Sequence, residues 1–189
     1  MPIMRFSPPI LNTLVAAAFA LGATAAGAQS DPDRLQSLLE QLREPDLPNW
    51  QLVEEEIFQR WALSGSPAMD LLLRRGQDAL DAGDIDAALD HLTALTDHAP
   101  DFAAGWNARA TVYFHAGLYG PSIADIQRTL ALNPDHFGAL TGLGRMLEEL
   151  GEIDAALSAY QAAHAIHPNR PDLEEAMRRV EAQVEGQSL

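Results

Sequence analysis

Residues 103–136 read AAGWNARATVYFHAGLYGPSIADIQRTLALNPDH, and this stretch is one period of a repeat. Gly83, Gly117 and Gly151 stand 34 residues apart, as do Pro100, Pro134 and Pro168. Between each glycine and its proline the same pattern recurs. Ile85, Tyr119 and Ile153 follow the glycine by two residues, and Ala88, Ser122 and Ala156 by five. Leu89, Ile123 and Leu157 follow it by six, and Leu92, Ile126 and Tyr160 by nine. A period near 34 running from Met69 to Arg170 is the signature of stacked helical hairpins.

Each period holds two helical patterns. Helix A runs from the turn at Asp101 or Asp135 to just before the glycine, and helix B from just after the glycine to just before the proline. Glycine permits a tight turn with positive φ, because it has no Cβ to clash. Proline ends helix B and begins the turn into the next period. Gly76, Ala110 and Gly144 on helix A, with Ala88, Ser122 and Ala156 on helix B, are small enough for close helix approach. Leu72, Trp106 and Leu140, with Ala79, Tyr113 and Leu147, form the apolar stripe of helix A.

These residues resemble the tetratricopeptide repeat family. The middle period carries Trp106, Ala110, Tyr113, Gly117, Ser122, Ile126, Thr129 and Pro134 at the family's offsets. The third carries Leu140, Leu143, Gly144, Leu147, Gly151, Ala156, Tyr160, Ala163 and Pro168, and the first Leu72, Gly76, Ala79, Gly83, Ala88, Leu92, Leu95 and Pro100. Arg75 and Arg109 stand where leucine is usual, and Leu95 and Thr129 replace a usual alanine. The resemblance covers 102 of 189 residues and implies an all-α, right-handed solenoid of antiparallel helix hairpins. It implies binding of a protein or peptide and no catalysis.

In that family helix A lines a concave groove. The corresponding positions are Asp70, Leu73, Gln77, Leu80 and Asp81 in the first repeat, and Ala104, Asn107, Thr111, Phe114 and His115 in the second. In the third they are Gly138, Thr141, Arg145, Glu148 and Glu149. One subgroup clamps the C-terminal carboxylate of chaperones with Lys and Asn where this chain has Leu73 and Gln77, so that ligand class is disfavoured. Leu73, Leu80 and Phe114 are apolar anchors, and Asp70, Asp81, Glu148 and Glu149 are acidic flanks, so an apolar, basic segment is the expected occupant. Self-association into a homo-oligomer is the competing reading. An enzyme would need a deep pocket of convergent polar residues.

Composition narrows the partners. The chain has 12 basic and 27 acidic residues, whereas nucleic acid and anionic lipid both require a basic face. It has no cysteine, which excludes disulfides, thiol catalysis, thiolate metal sites and lipidation through cysteine.

Residues 1–28 have the pattern of a secretory leader. Arg5 gives a positive start, Ile10 to Leu21 is mostly apolar, and Ala26-Gly27-Ala28 is an A-x-A site before Gln29. The expected location is the periplasm or the exterior, with no stable membrane insertion once the leader is removed. The rival reading is an uncleaved anchor, although the apolar core is short for a membrane span.

Residues 29–67 read as a helical hairpin without the small-residue signature. Leu35, Leu38, Leu39 and Leu42 share one face of its first helix. Asn49 is placed to cap a second helix bearing Trp50, Val53, Ile57 and Trp61. Two roles are open: an N-terminal cap on the first repeat, or a mobile arm presenting Trp50 and Trp61 to a partner. Three repeats follow, at about 69–102, 103–136 and 137–170 within a domain spanning 68–170. A helix over 171–185, with Leu173, Met177, Val180 and Val184 inward, suits the role of C-terminal cap. Its outer face offers Glu174 to Arg178 and Glu175 to Arg179, and residues 186–189 form a tail.

Reaction chemistry is not evident. There is no Gly-rich phosphate loop, serine elbow or H-E-x-x-H, so no cofactor is expected. His164 and His167 are three apart, but no carboxylate shares that spacing, and His91, His98, His115 and His136 fall at different repeat offsets. Asp84 is placed to cap helix B of the first repeat.

Overall fold

The structure is a computed structural model that describes residues 32–187, all of whose regular elements are α-helices. The expected leader, residues 1–28, lies outside the described residues. Helices α1 (Pro32–Leu42) and α2 (Trp50–Trp61) form an N-terminal hairpin. Three repeats follow as α3 (Pro67–Asp81) with α4 (Ile85–His98), α5 (Ala103–His115) with α6 (Tyr119–Leu132), and α7 (Phe137–Glu149) with α8 (Ile153–Ile166). Helix α9 (Pro171–Gln187) closes the array. Among the described residues no helix is long and apolar enough to cross a membrane.

The repeated glycines do what their spacing requires. Gly83, Gly117 and Gly151 have φ of 76°, 72° and 79°. At the middle turn the Gly117 amide bonds to Phe114 O at 2.9 Å and the Leu118 amide to Tyr113 O at 2.8 Å. The αL residue thus satisfies two carbonyls that the helix end leaves open. Asp84 caps α4, accepting from the Ala87 amide at 3.0 Å. Asn49 does not cap α2 through its side chain, contrary to expectation. Within each hairpin the small residues are sites of contact. A Cβ on Gly76 would lie 2.4 Å from Leu92, and one on Gly144 would lie 2.6 Å from Tyr160. In the middle repeat Ser122 donates to the Ala110 carbonyl at 2.7 Å, so the small polar residue also ties the two helices together.

The N-terminal hairpin does not stack on the first repeat as a cap. Its Leu38, Leu39, Leu42, Val53 and Ile57 share a core with Phe137 and Ile166, which belong to the third repeat. Corresponding positions on successive A helices explain why. The face that each A helix turns to the preceding repeat carries Ala108 and Val112 in α5 and Ala139 and Met146 in α7, all buried. At matching offsets α3 presents Leu71, Arg74 and Asp78, all exposed. This leading edge is polar enough to face water and has no apolar stripe to cover. The hairpin's apolar face meets instead the start of α7 and the end of α8.

Polar contacts fix it there. Asn169 donates to the carbonyls of Leu42 (3.0 Å) and Glu44 (2.9 Å) and accepts from the Leu47 amide (3.0 Å). Arg43 pairs with Asp135 at 2.7 Å. Glu54 meets the buried His167 Nε2 at 2.7 Å, and the Trp50 ring packs edge-on against the same imidazole at 5.1 Å. Trp50 and Trp61 are both half-buried.

At the other end α9 places Leu173, Ala176 and Val180 against Ile153, Ala156, Tyr160 and Ala163. Arg179 does not pair with Glu175 as expected. It forks onto Glu148 at 2.7 and 2.8 Å, and so ties α9 back to α7.

Candidate protein-binding groove

Helices α3, α5 and α7 stand side by side and present the concave surface. Helix α2 crosses it. At one end of α2, Trp50 and Glu54 meet His167; toward the other, Trp61 reaches the first repeat. Beneath α2 two cavities remain. One, of about 350 Å³, lies between α5 and α7 over Ala110, Ile126, Ala139 and Met146. The second, of about 270 Å³, lies between α3 and α5 over Leu73, Leu92 and Val112. Phe58, Asn107, Thr111 and His136 border both.

Most of the expected groove positions converge here. Asn107, Thr111, Phe114, His115, Thr141 and Arg145 border the larger cavity, and Gln77 and Leu80 the smaller. Leu73 lies in the floor and is only 2% exposed, so it supports the surface from below. Phe114 is half-buried, stacked on Tyr119 at 5.8 Å, with the Arg145 guanidinium 5.4 Å above its ring. A cation over an aromatic face is attracted to the ring quadrupole.

Three of the four expected acidic flanks are hydrogen-bonded within the molecule. Asp70 accepts from the amide and hydroxyl of Ser64 at 2.8 and 2.6 Å. Glu148 takes Arg179 and the Tyr160 hydroxyl, and the Arg179 guanidinium holds its carboxyl below the usual range. Glu149 accepts from Tyr119, whose phenol is pushed up by that bond. Asp81 is exposed. Among the described residues, no Asp or Glu lines either cavity. The acids expected to attract a basic segment therefore stand outside the cavities, and of these Glu148 is the one paired with an arginine. The partners of Asp70 and Glu149 are neutral amide and hydroxyl groups, which bring no positive charge.

Two features were hidden in the sequence. Phe58 and Trp61 enter the groove from outside the repeats. His136, at the start of α7, is 3% exposed and stacks on Trp61 with ring centroids 4.7 Å apart. Its Nδ1 accepts from the Ala139 amide at 3.1 Å, so it is the neutral imidazole that caps α7, and burial pushes its pKa down to about 4. The only sequence signal was its place immediately before a helix A. Among the described residues no cluster of three or more His, Cys, Asp or Glu could hold a metal.

Comparison with known proteins agrees with this architecture. The tetratricopeptide repeat profile matches residues 73–120 and 117–171. A TPR repeat-containing protein of Rhizobium etli is 37% identical over 143 residues, covering 75% of this chain and 70% of that protein. The chain belongs to the tetratricopeptide repeat family. Among solved structures, the first TPR domain of Spaghetti (RPAP3) bound to an HSP90 peptide superposes with a TM-score of 0.61 at 22% identity, over 64% of this chain and 95% of that one. The Yersinia enterocolitica type III secretion chaperone SycD, in complex with a peptide of the translocator YopD, gives 0.56 at 17% identity, over 64% and 92%. At those identities the likeness speaks for the fold.

Proposed function

We propose that this protein is an exported scaffold that binds a segment of another protein in the groove between α2 and the A helices, in the service of envelope protein assembly. The observation that carries the reading is the pair of cavities under α2. They have apolar floors, and their rims offer Asn107, Thr111, Thr141 and Arg145. Apolar concavity with a few polar groups at the rim is how ligand sites are generally built. Relatives of the same fold hold peptides, among them the HSP90 peptide on RPAP3. Export is supported by the leader pattern in residues 1–28 and its A-x-A site.

The test of the groove is Thr111→Arg, a change at an exposed position between both cavities. Affinity capture from the native host should lose the partner recovered with the wild-type protein, while the circular dichroism spectrum is unchanged. Equal recovery by both forms refutes the groove as the binding site. For export, intact-mass analysis of the protein from its host should place the N-terminus at Gln29; recovery of a soluble cytoplasmic form retaining residues 1–28 refutes it.

A further inference from the structure

The larger cavity has a charge character opposite to that of the whole chain. The protein carries 27 acidic against 12 basic residues, yet among the described residues none lining this cavity is Asp or Glu. Arg145 and Arg170 are its two arginines. Arg170 is committed elsewhere, to Asp172 at 2.6 Å and to Glu54 at 4.0 Å. Arg145 is exposed and takes part in no ion pair among the described residues, although its outer side shares a surface hollow with Glu148, Glu149 and Arg179. The nearest candidate, Glu148, is taken in a fork by Arg179 and capped by the Tyr160 hydroxyl.

Arg145 is nevertheless held in place. Its guanidinium lies 5.4 Å above the Phe114 ring, and that ring is stacked on Tyr119. A guanidinium that rests on an aromatic face can still pair with a carboxylate through its N–H donors. Next to it the cavity floor of Ile126, Ala139 and Met146 is apolar, and Phe58 of α2 walls the far side. A volume of about 350 Å³ is ample for a large aliphatic or aromatic side chain. The neighbouring imidazole of His136 is uncharged at neutral pH, so within this lining Arg145 is the arginine left without an ion pair.

Resting on the groove as the binding site, we propose that the cavity between α5 and α7 takes an internal partner segment that places a large apolar side chain on Met146 and Ile126 and an Asp or Glu on Arg145. The N-terminal hairpin is a wall of this site through Phe58, so the site belongs to the hairpin and the repeats together. The acidic exterior opposes the approach of such a segment only within a Debye length of about 8 Å at physiological salt.

The test uses a phage-displayed library of random peptides fused through their C-termini, which offers no free terminal carboxylate. It is selected on the purified protein. The expected peptides fail to bind Thr111→Arg and carry an aromatic or branched aliphatic residue near an Asp or Glu. They should bind Arg145→Glu about tenfold more weakly, as loss of one charge-assisted pair implies. Selection repeated on Arg145→Glu should return Lys or Arg at the acidic position. Groove-dependent peptides that lack an acidic residue, or that bind Arg145→Glu as well as wild type, overturn this inference and leave the groove reading standing. Peptides that bind wild type and Thr111→Arg alike, or an empty selection, count against both.

Discussion

The imidazole of His136 lies flat on the indole of Trp61, with centroids 4.7 Å apart and planes inclined by 22°. One ring begins α7 and the other ends α2, so this stack fastens the N-terminal hairpin to the third repeat. It also makes the join sensitive to acid. His136 is pushed from 6.5 down to about 4 by burial, so below pH 6.5 the unfolded chain binds a proton that the folded protein refuses. Stability should fall as pH drops from about 6.5, with the loss complete near 4, at a limit on the order of 3 kcal/mol. The carboxyls held low by arginines, Glu56, Glu148 and Asp172, begin to lose their contribution only below their ordinary range, so the upper part of that window belongs to His136. Thermal melts of His136→Asn, which keeps a capping oxygen, should show a flatter slope between pH 6.5 and 5. An identical slope would remove His136 as the cause.

Asn169 is the hinge pin of the same join, with three hydrogen bonds to the α1–α2 loop. Asn169→Ala would leave one amide and two carbonyls of that loop without protein partners. It should destabilise the hairpin by about 1–3 kcal/mol. Hydrogen exchange should speed up in α1 and α2 and stay unchanged in α5 and α6. Uniform acceleration would mean that hairpin and repeats unfold as one unit.

Arg109 stands where the family prefers leucine, and the structure shows how it is accommodated. Its guanidinium forks onto Asp125 at 2.7 and 3.0 Å, takes Thr96 at 2.8 Å and lies 4.9 Å from the Trp106 ring. The side chains of Arg109 and Asp125 are 13% and 8% exposed. Asp125→Ala should therefore cost about 3–5 kcal/mol by stranding a buried cation. The double change Arg109→Leu with Asp125→Ala should recover most of that loss in urea unfolding. A double variant no better than the single one would show that the pair is not what holds the interface.

Gly117 tests the turn alone. A Cβ there would meet nothing within 4 Å, but φ is +72°. Gly117→Val should lower stability by on the order of 1 kcal/mol or more through the left-handed backbone. An unchanged melting temperature would contradict the turn geometry.

The repeats were legible because their physics is local: glycine at αL, proline after helix B, small residues where helices touch. Most of the groove was legible for the same reason, since one offset serves all three A helices. The hairpin's position was not. Its apolar faces were plain, but an amphipathic face does not say which surface it will meet. The signal lay elsewhere, in Asp78 at the offset of Val112 and Met146, which marks the first repeat as an end with nothing to cover. The partners of Glu148 and Glu149 were not legible either. Arg179 is 31 residues from Glu148 and Tyr119 is 30 residues from Glu149, distances that only the fold brings to contact.

The central claim is that binding occurs on the concave side, under α2. A photo-activated cross-linking residue placed at Thr111 should capture the native partner, whereas one placed at Gln127, exposed on helix α6, should capture none. Equal capture from both positions, or capture from Gln127 alone, would contradict the account.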